Sequence, residues 1–311
     1  MWKIVSGGFT PSGSGWSNSK FRRARPLRSI RFPDGFAKYP FEAAGNSGNV
    51  RAVSAQPETI PDQSDFLVCY RGRQSALHHA AYLRTAKVFL ALKVCEVAGI
   101  GLSGKDILDY GFGAGTFFRY CPRDSRLFGV EMDEENIGAV REMLGERGYR
   151  AVDLQRIEIE RWAEHPLLAR KYDVILCSHV LEHLPDPAMF LKRIAECLNP
   201  AGVFIGLVPL NERIMDPHHV QRLNEAKIRG FADRAGLRVA AYLEADPWLY
   251  WFQPLFTRDR GVVHQIAQAV SLGLGLPATL LGPRVWFALG RCFGFLTRSK
   301  PAQAAFVLAR P

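Results

Sequence analysis

The chain has 311 residues, enough for one large α/β domain with additions or for two small domains. Hydrophobic residues make up 48% and charged residues 23%, fractions that are ordinary for a globular protein. The net charge of +10 lies at the ends: residues 1–60 hold 9 basic and 3 acidic residues, residues 250–311 hold 7 and 1, and residues 61–249 hold 24 and 26. A nucleic-acid binder generally carries basic stripes on its folded domain, so this distribution argues against a specific nucleic-acid partner.

The first 60 residues are rich in Ser, Gly, Pro, Arg and Asn with few periodic apolar positions, which predicts a disordered basic tail over 1–60. Within it, FRRARPLRSIRF (21–32) either contacts anionic lipid or RNA or is simply solvated. No apolar stretch of signal-peptide length follows Met1. The six cysteines form no CxxC pair and no metal-ligand spacing, so we expect reduced thiols in a cytoplasmic protein.

The middle of the chain alternates between strand-like and helix-like segments. Residues 75–98 have apolar side chains at helical spacing and stop at Gly99, which predicts a helix within a segment, 61–104, that covers the site. The predicted strands are 106–110, 126–131, about 150–154, 172–177, 202–208, 237–243 and 304–309. The predicted helices begin near Thr116, after Asp133, after Pro185 and at the start of 220–236. Over 105–247 this alternation predicts a Rossmann-like α/β fold, a seven-stranded and mostly parallel sheet with helices on both faces.

The C-terminal part is different in character. From Gly261 to Pro283 there are 23 residues without a charge, among them four glycines and two prolines. Such a run is long enough for a membrane-spanning helix or for one that lies on a membrane surface. We favour a third arrangement, in which 248–302 is a helical apolar insertion that packs on the sheet and covers the substrate pocket, since ligand pockets are mostly apolar. Residues 303–311 then supply the last strand.

The stretch ILDYGFGAGTFF (107–118) joins a strand to a turn with glycines at 111, 113 and 115. Its spacing, with no Lys following, matches neither the dinucleotide fingerprint nor the P-loop, so the turn alone does not identify its ligand. Glu131 ends the next strand, 18 residues after Gly113, where a carboxylate can accept hydrogen bonds from ribose hydroxyls. Its alternative role is to cap the following helix, which Asp133 can do instead.

The fourth predicted strand leads into an acidic and histidine-containing turn, YDVILCSHVLEHLPDP (172–187), and LNPAGVFIGLVP (198–209) follows one helix later. With DYGFGAGTFF and GVEMD before them, these segments resemble the motifs of class I S-adenosylmethionine-dependent methyltransferases, and most closely the small-molecule branch with an LEHxPDP signature. DPHHVQRLN (216–224) also resembles that branch. The resemblance covers about residues 75–245 and the last strand.

The resemblance implies S-adenosylmethionine as cofactor and assigns its binding residues. Asp109 and Gly111 match positions near the methionine part, Gly113 and Gly115 the turn, Glu131 the ribose ligand and Met132 the apolar residue beside the adenine. Cys177, Ser178 and His179 match the strand tip that lines the methyl-transfer site. The acidic residue that meets the adenine amine is Asp153 or Glu158, with Asp153 preferred. Ala201 stands where the family usually has Gly, and Phe112 and Phe117 are bulkier than usual, but neither change removes a cofactor contact.

A hydroxyl or amine acceptor loses a proton around methyl transfer, which requires a base. The candidates are His179, Glu182 and His183, followed by His218 and His219. The alternative role for His183 is to cap or orient its own turn. Glu182 and His183 alone are too few ligands for a metal site, so the sequence predicts no metal.

The sequence therefore predicts a methyltransferase that acts on the oxygen, nitrogen or carbon of a small, lipophilic or metabolic-intermediate acceptor. A nucleotide-cofactor oxidoreductase is disfavoured by the glycine spacing and the LEHLPDP turn. A protein or RNA methyltransferase is favoured only by the basic ends, and a non-catalytic binding module is disfavoured by the intact Asp109, Gly111, Gly113 and Glu131. Peripheral membrane contact stays open, and the sequence predicts neither the acceptor nor an oligomeric state.

Overall fold

A computed structural model describes residues 82–149, 151–216, 218–246, 248–250 and 262–311. The predicted basic tail, its mixed patch at 21–32 and the beginning of the predicted segment 61–104 lie outside the described residues.

The described residues form one seven-stranded sheet in the order β3-β2-β1-β4-β5-β7-β6. Its strands are β1 (Asp106–Tyr110), β2 (Arg126–Glu131), β3 (Val152–Arg156), β4 (Tyr172–Ser178), β5 (Leu198–Pro209), β6 (Arg238–Ala245) and β7 (Gln303–Ala309). β7 runs antiparallel to both of its neighbours, and the other pairs are parallel. The predicted fold class is confirmed, and the order reverses between β1 and β4, the position at which open α/β sheets bind ligands.

The α-helices whose bounds are described accompany the sheet: α1 (Tyr82–Ala98), α2 (Glu134–Glu146), α3 (Pro187–Glu196), α4 (Glu225–Arg234) and α5 (Val262–Thr297). Asp133 caps α2 by accepting a hydrogen bond from the backbone N–H of Glu135, and Asp186 and Asn224 cap α3 and α4 in the same way. The helix predicted over 220–236 thus begins only after Asn224, because the preceding residues pack against the turn that follows β4.

The helix predicted near Thr116 is absent, which corrects that prediction. After the glycine turn the chain makes one 3₁₀ turn, Phe118–Tyr120, and Cys121 is already extended. Pro122 accounts for this, because proline disfavours the helical conformation of the residue before it and cannot donate a backbone hydrogen bond. Within the part of the chain that the structure describes, the segment directly after the glycine turn therefore provides no α-helix N-terminus.

The core consists of two apolar clusters, one on each face of the sheet. Alternate strand residues divide between them: Val174 and Leu176 of β4 belong to one cluster, Ile175 and Cys177 to the other. Helices α1, α2 and α5 contribute to the first cluster, and α3 and α4 to the second. Because both faces are covered, the central strands read as nearly continuous apolar runs.

Helix α5 is the predicted apolar insertion before the last strand. It is interrupted at Gly282, whose φ is 76°, and Pro283 follows the break. Beyond the break, Trp286 and Phe287 are buried in the core, and the ring of Phe293 stacks on that of Trp248 with centroids 3.8 Å apart. Among the described helices, none combines the length and apolar character needed to span a bilayer.

Candidate active site

The carboxyl end of β1 carries a buried acid. Asp109 is 3% exposed, and its Oδ1 has no hydrogen-bond partner. Burial raises the pKa of Asp109 well above its usual value, and the nearby carboxylate of Glu131 raises it further. A cationic group beside Asp109 would offset both effects and favour its ionised form.

The glycine turn follows directly. The backbone N–H of Gly111 donates to the carbonyl of Val130 at 2.9 Å, which holds the turn against β2. Gly113 has a φ of 52°, and a Cβ added there would meet no atom within 4 Å. Gly115 is different, because a Cβ there would lie 2.7 Å from a methyl group of Val140 in α2. The turn therefore packs against α2 at Gly115. The space that a Cβ of Gly113 would enter is empty, and it is called the open space above Gly113 below.

Glu131, the last residue of β2, faces this turn. Its Oε2 accepts a hydrogen bond of 2.7 Å from the backbone N–H of Gly113, and its Oε1 accepts one of 2.9 Å from that of Met132. Burial raises the pKa of Glu131, and these backbone donors oppose the shift. Since Asp133 caps α2, Glu131 is not required as a helix cap. The two predicted ligands at adjacent strand ends, Asp109 and Glu131, are thus brought together around an open turn.

The tip of β4 lies on the other side of β1. Cys177 is fully buried in the core, so only its backbone faces the strand edge, and Ser178 ends the strand half-buried. His179 has a φ of 57°, and its backbone N–H donates to the carbonyl of Leu207 at 2.8 Å. A positive φ is uncommon outside glycine and is found at sites where the fold imposes a side-chain direction.

His179 contacts the second predicted catalytic residue. Its Nδ1 lies 3.2 Å from Oε1 of Glu182, a carboxylate that is 0% exposed. Burial alone would raise the pKa of Glu182, but His179 and His183 outweigh it and hold that pKa below its usual value. Burial, with the charge of Lys87 added, lowers the pKa of His179.

The loop that follows β5 is hydrogen-bonded to this turn. Within residues 218–221, the backbone N–H of Val220 donates to the carbonyl of Glu182 at 3.0 Å, and Nε2 of Gln221 donates to that of Leu184 at 2.8 Å. Nδ1 of His183 lies 2.9 Å from the carbonyl of His218. These contacts place His219 against the turn, with its ring centroid 4.8 Å from that of His183.

The two candidates for the adenine contact are placed differently. Asp153 is the second residue of β3 and accepts a hydrogen bond from Gln155, so it lies three residues, or about 10 Å, before the carboxyl end of that strand. Glu158 follows the end of the strand, next to Ile157, whose backbone N–H donates to the carbonyl of Glu131 at 2.9 Å. On this placement, Glu158 lies nearer than Asp153 to the carboxyl end of β3, and we propose Glu158 as the adenine contact.

The model of the methyltransferase-domain family matches residues 82–255. This chain belongs to that family. Its methyl donor, S-adenosylmethionine, carries an amino group and a sulfonium, and both are cationic. The unpartnered Oδ1 of Asp109, the acid of Glu131 and the open space above Gly113 fit such a ligand.

Curated relatives of this methyltransferase-domain chain are similar over part of their length. A ubiquinone biosynthesis O-methyltransferase of Aeromonas salmonicida (strain A449) is 36% identical over 115 residues, which cover 36% of this chain and 47% of that one. The Marinobacter nauticus protein of the same name is 33% identical over 116 residues, 37% of this chain and 48% of that one. The chain thus spans about half the length of the curated relatives it matches.

Solved structures share the fold at low identity. Coclaurine N-methyltransferase has a TM-score of 0.52 and 14% identity, with 79% of each chain covered. The cyclase SpnF has a TM-score of 0.53 and 17% identity, with 80% of this chain and 92% of that chain covered. Because one is named a methyltransferase and the other a cyclase, this likeness shows the fold and leaves the reaction to the site.

Some residues near the site were missed by the sequence analysis. Lys87 of α1 interacts electrostatically with Glu182, and burial lowers the pKa of Lys87 to about 8. Oε1 of Glu212 lies 2.8 Å from Nδ1 of His219, and Gln303, the first residue of β7, is fully buried. Nothing in their local sequence indicates these positions, because each reaches the site through the packing of a different element.

Proposed function

We propose that this chain transfers a methyl group from S-adenosylmethionine to a small acceptor. The observation that carries the proposal is the pair of buried acids, Asp109 and Glu131, at adjacent strand ends around a turn that is open above Gly113. The bound cofactor would supply an electrophilic methyl group. Asp109 would accept hydrogen bonds from its amino group, Glu131 would accept them from its ribose hydroxyls, and Met132 would lie beside its adenine.

In this proposal, a residue in the turn after β4 removes the proton of the acceptor. We propose His179 as the base, because it is the first residue beyond the strand tip and its lowered pKa leaves its imidazole neutral at pH 7. Glu182 contacts His179 through Nδ1 and would orient the ring as a positioning residue. His183, held by the carbonyl of His218, would support the turn.

The acceptor is proposed to be lipophilic, with oxygen as the methylated atom. The name of the curated relatives, ubiquinone biosynthesis O-methyltransferase, supports oxygen. The apolar segments α1 and α5 pack on the same face of the sheet and support a lipophilic pocket. In this arrangement the segments 61–104 and 248–302 determine which acceptor enters, and the strands determine how the cofactor is held.

We also propose that α5 contacts the surface of an anionic membrane, in a cytoplasmic protein. Beyond the break at Gly282, the residues Val285, Leu289, Phe295 and Leu296, here called the α5 apolar patch, are exposed, the last two to 75% and 79%. Arg284 and Arg291 are exposed along the same helix. Apolar residues flanked by arginines are typical of helices that lie in the interface of an anionic bilayer.

Calorimetry on the full chain tests the cofactor. S-adenosylmethionine and its demethylated product should both bind, and NAD should not; binding of NAD without either of the others would overturn the proposal. Transfer is tested by incubating the protein with methyl-labelled S-adenosylmethionine and either a lipid extract or an aqueous extract of cells. Label should enter a lipid-soluble product that mass spectrometry identifies, whereas a binding module would bind the cofactor and label nothing.

A further inference from the structure

Three side chains next to the proposed base form a cluster with metal-ligand chemistry. One donor atom from each of Glu182, His183 and His219 lies within 4.8 Å of the other two. The sequence showed only Glu182 and His183 as neighbours, and the fold adds His219 from the loop after β5. The loop is held there by the hydrogen bond from the backbone N–H of Val220 to the carbonyl of Glu182.

Both histidines have an oxygen atom close to Nδ1, an arrangement that is common among metal-binding histidines. Nδ1 of His219 lies 2.8 Å from Oε1 of Glu212, and Nδ1 of His183 lies 2.9 Å from the carbonyl oxygen of His218. An imidazole that donates through Nδ1 presents Nε2 as its basic nitrogen, and such carboxylate or carbonyl partners orient most metal-binding histidines. Two chain segments, the turn after β4 and the loop after β5, therefore converge at this cluster.

The third member of the cluster is a fully buried acid. Glu182 is 0% exposed, and neither of its oxygens has a hydrogen bond of good geometry. Nδ1 of His179 lies 3.2 Å from its Oε1, and Nε2 of His219 lies 4.0 Å from the same atom. Burying an ionised carboxylate is costly unless it is paired or coordinates a metal. Lys87 interacts electrostatically with Glu182 and competes with a metal ion for this role.

We propose that Glu182, His183 and His219 bind one divalent transition-metal ion. Two imidazoles and one carboxylate favour ions such as Zn²⁺ over Mg²⁺ and Ca²⁺, which prefer oxygen ligands. Three protein ligands leave a coordination position for an outside oxygen. If the proposed methyl transfer is correct, the acceptor hydroxyl would take that position, where the metal would favour its deprotonated form. The binding site itself does not depend on the reaction.

The test uses the full chain, freed of metal with a chelator and titrated with Zn²⁺ by calorimetry. We expect one equivalent to bind, and no comparable binding of Mg²⁺. Glu182→Gln and His219→Ala should each weaken Zn²⁺ binding at least tenfold, and Glu212→Gln should weaken it by about tenfold through the loss of ring orientation. His165→Ala, which removes a histidine outside the cluster, is the matched control and should bind as the unmodified chain does.

Co²⁺ gives a readout of coordination that a folding defect does not imitate. The unmodified chain and His165→Ala should develop visible ligand-field bands on Co²⁺ addition, and His219→Ala should not. Circular dichroism and binding of the demethylated cofactor, measured on the same samples, show whether each variant is folded. Absence of Zn²⁺ binding by the folded chain, or equal binding by His219→Ala, would overturn the site, with Lys87 then left to neutralise Glu182. Cofactor binding without Zn²⁺ binding would refute only the metal site. Zn²⁺ binding without cofactor binding would refute only the proposed function.

Discussion

The carboxylate of Glu131 at the end of β2 accepts a hydrogen bond of 2.7 Å from the backbone N–H of Gly113 in the turn after β1. This bond joins two adjacent strand ends at the place where the proposed cofactor lies. It also places the acid of Glu131 beside the open space above Gly113, where ribose hydroxyls can reach it.

Replacing Glu131 should weaken cofactor binding by at least tenfold. A hydrogen bond to a charged group contributes about 1.5–3 kcal/mol, and Glu131→Ala removes the acceptor for both ribose hydroxyls. Glu134→Ala, an exposed acid in the first turn of α2, is the control and should bind normally. The measurement is calorimetry with S-adenosylmethionine, and unchanged affinity in Glu131→Ala would contradict the role of this strand end.

Gly113→Ala should lose cofactor affinity and little stability. The added methyl group meets no protein atom but occupies the open space, and the φ of 52° adds a strain of about 1 kcal/mol. Gly104→Ala is a matched control, because Gly104 has a φ of 68° and equally open surroundings, away from the site. Thermal unfolding should shift similarly in the two variants, whereas only Gly113→Ala should bind the cofactor poorly. Equal affinities would show that the cofactor does not approach this turn.

Asp246 should make stability fall as the pH rises from about 4 to about 7. Burial raises its pKa from 3.8 to about 7, and a contact with Trp286 opposes the shift only partly. Between these two pKa values the folded state keeps a proton that the unfolded state releases. The stabilisation from Asp246 is therefore complete below the pKa of the unfolded state, and it is lost as the pH rises through the pKa of the folded state. Asp246→Asn should unfold at a higher temperature than the unmodified chain at pH 8, with a smaller difference at pH 5.

The control for this comparison is Asp233→Asn, which alters an exposed acid on α4. Its difference from the unmodified chain should not change between pH 5 and pH 8. A pH-independent effect of Asp246→Asn would mean that Asp246 does not remain protonated in the fold.

Gly206→Ala should destabilise the sheet by about 1–3 kcal/mol. Gly206 of β5 is paired with Phe306 of β7, and a Cβ at Gly206 would lie 2.3 Å from Cζ of that ring. Gly230→Ala in the middle of α4 has open space and should raise stability slightly, since alanine favours helices over glycine. Denaturant unfolding of both variants measures the difference, and a neutral Gly206→Ala would show that the ring of Phe306 can move away.

The α5 apolar patch should be needed for attachment to vesicles of phosphatidylglycerol and phosphatidylcholine. In flotation experiments, a variant with Leu289→Ser and Phe295→Ser should float much less than the unmodified chain, and raised salt should weaken flotation through the arginines. Met189→Ser is the control, because Met189 is an exposed apolar residue on α3, on the opposite face of the sheet. Equal flotation of the double variant would refute a membrane role for this patch, and flotation that disappears only without residues 1–60 would assign it to the tail.

The sequence analysis identified the strands well because their patterns are local. The bounds of β1 and β2 agree with the prediction residue for residue, since each is an apolar run bounded by turn residues. It failed at Thr116, where a helical pattern was overridden by Pro122, and at 220–224, where hydrogen bonds to a distant turn replaced the first turn of a helix. The sequence left Asp153 and Glu158 as alternatives for a related reason, because the exact end of β3 decides which acid lies nearer the strand edge.

By itself, the sequence determined the α/β class, the family resemblance and the residues at the ends of β1, β2 and β4, because alternation, glycine spacing and motif order are properties of neighbouring residues. Only the tertiary structure decided which distant side chains join them. His219 lies 37 residues after Glu182 and Lys87 lies 95 residues before it, and no local pattern relates them. Strand order and loop packing bring them together. That packing places the histidines next to the buried Glu182, and the proposed metal site depends on it.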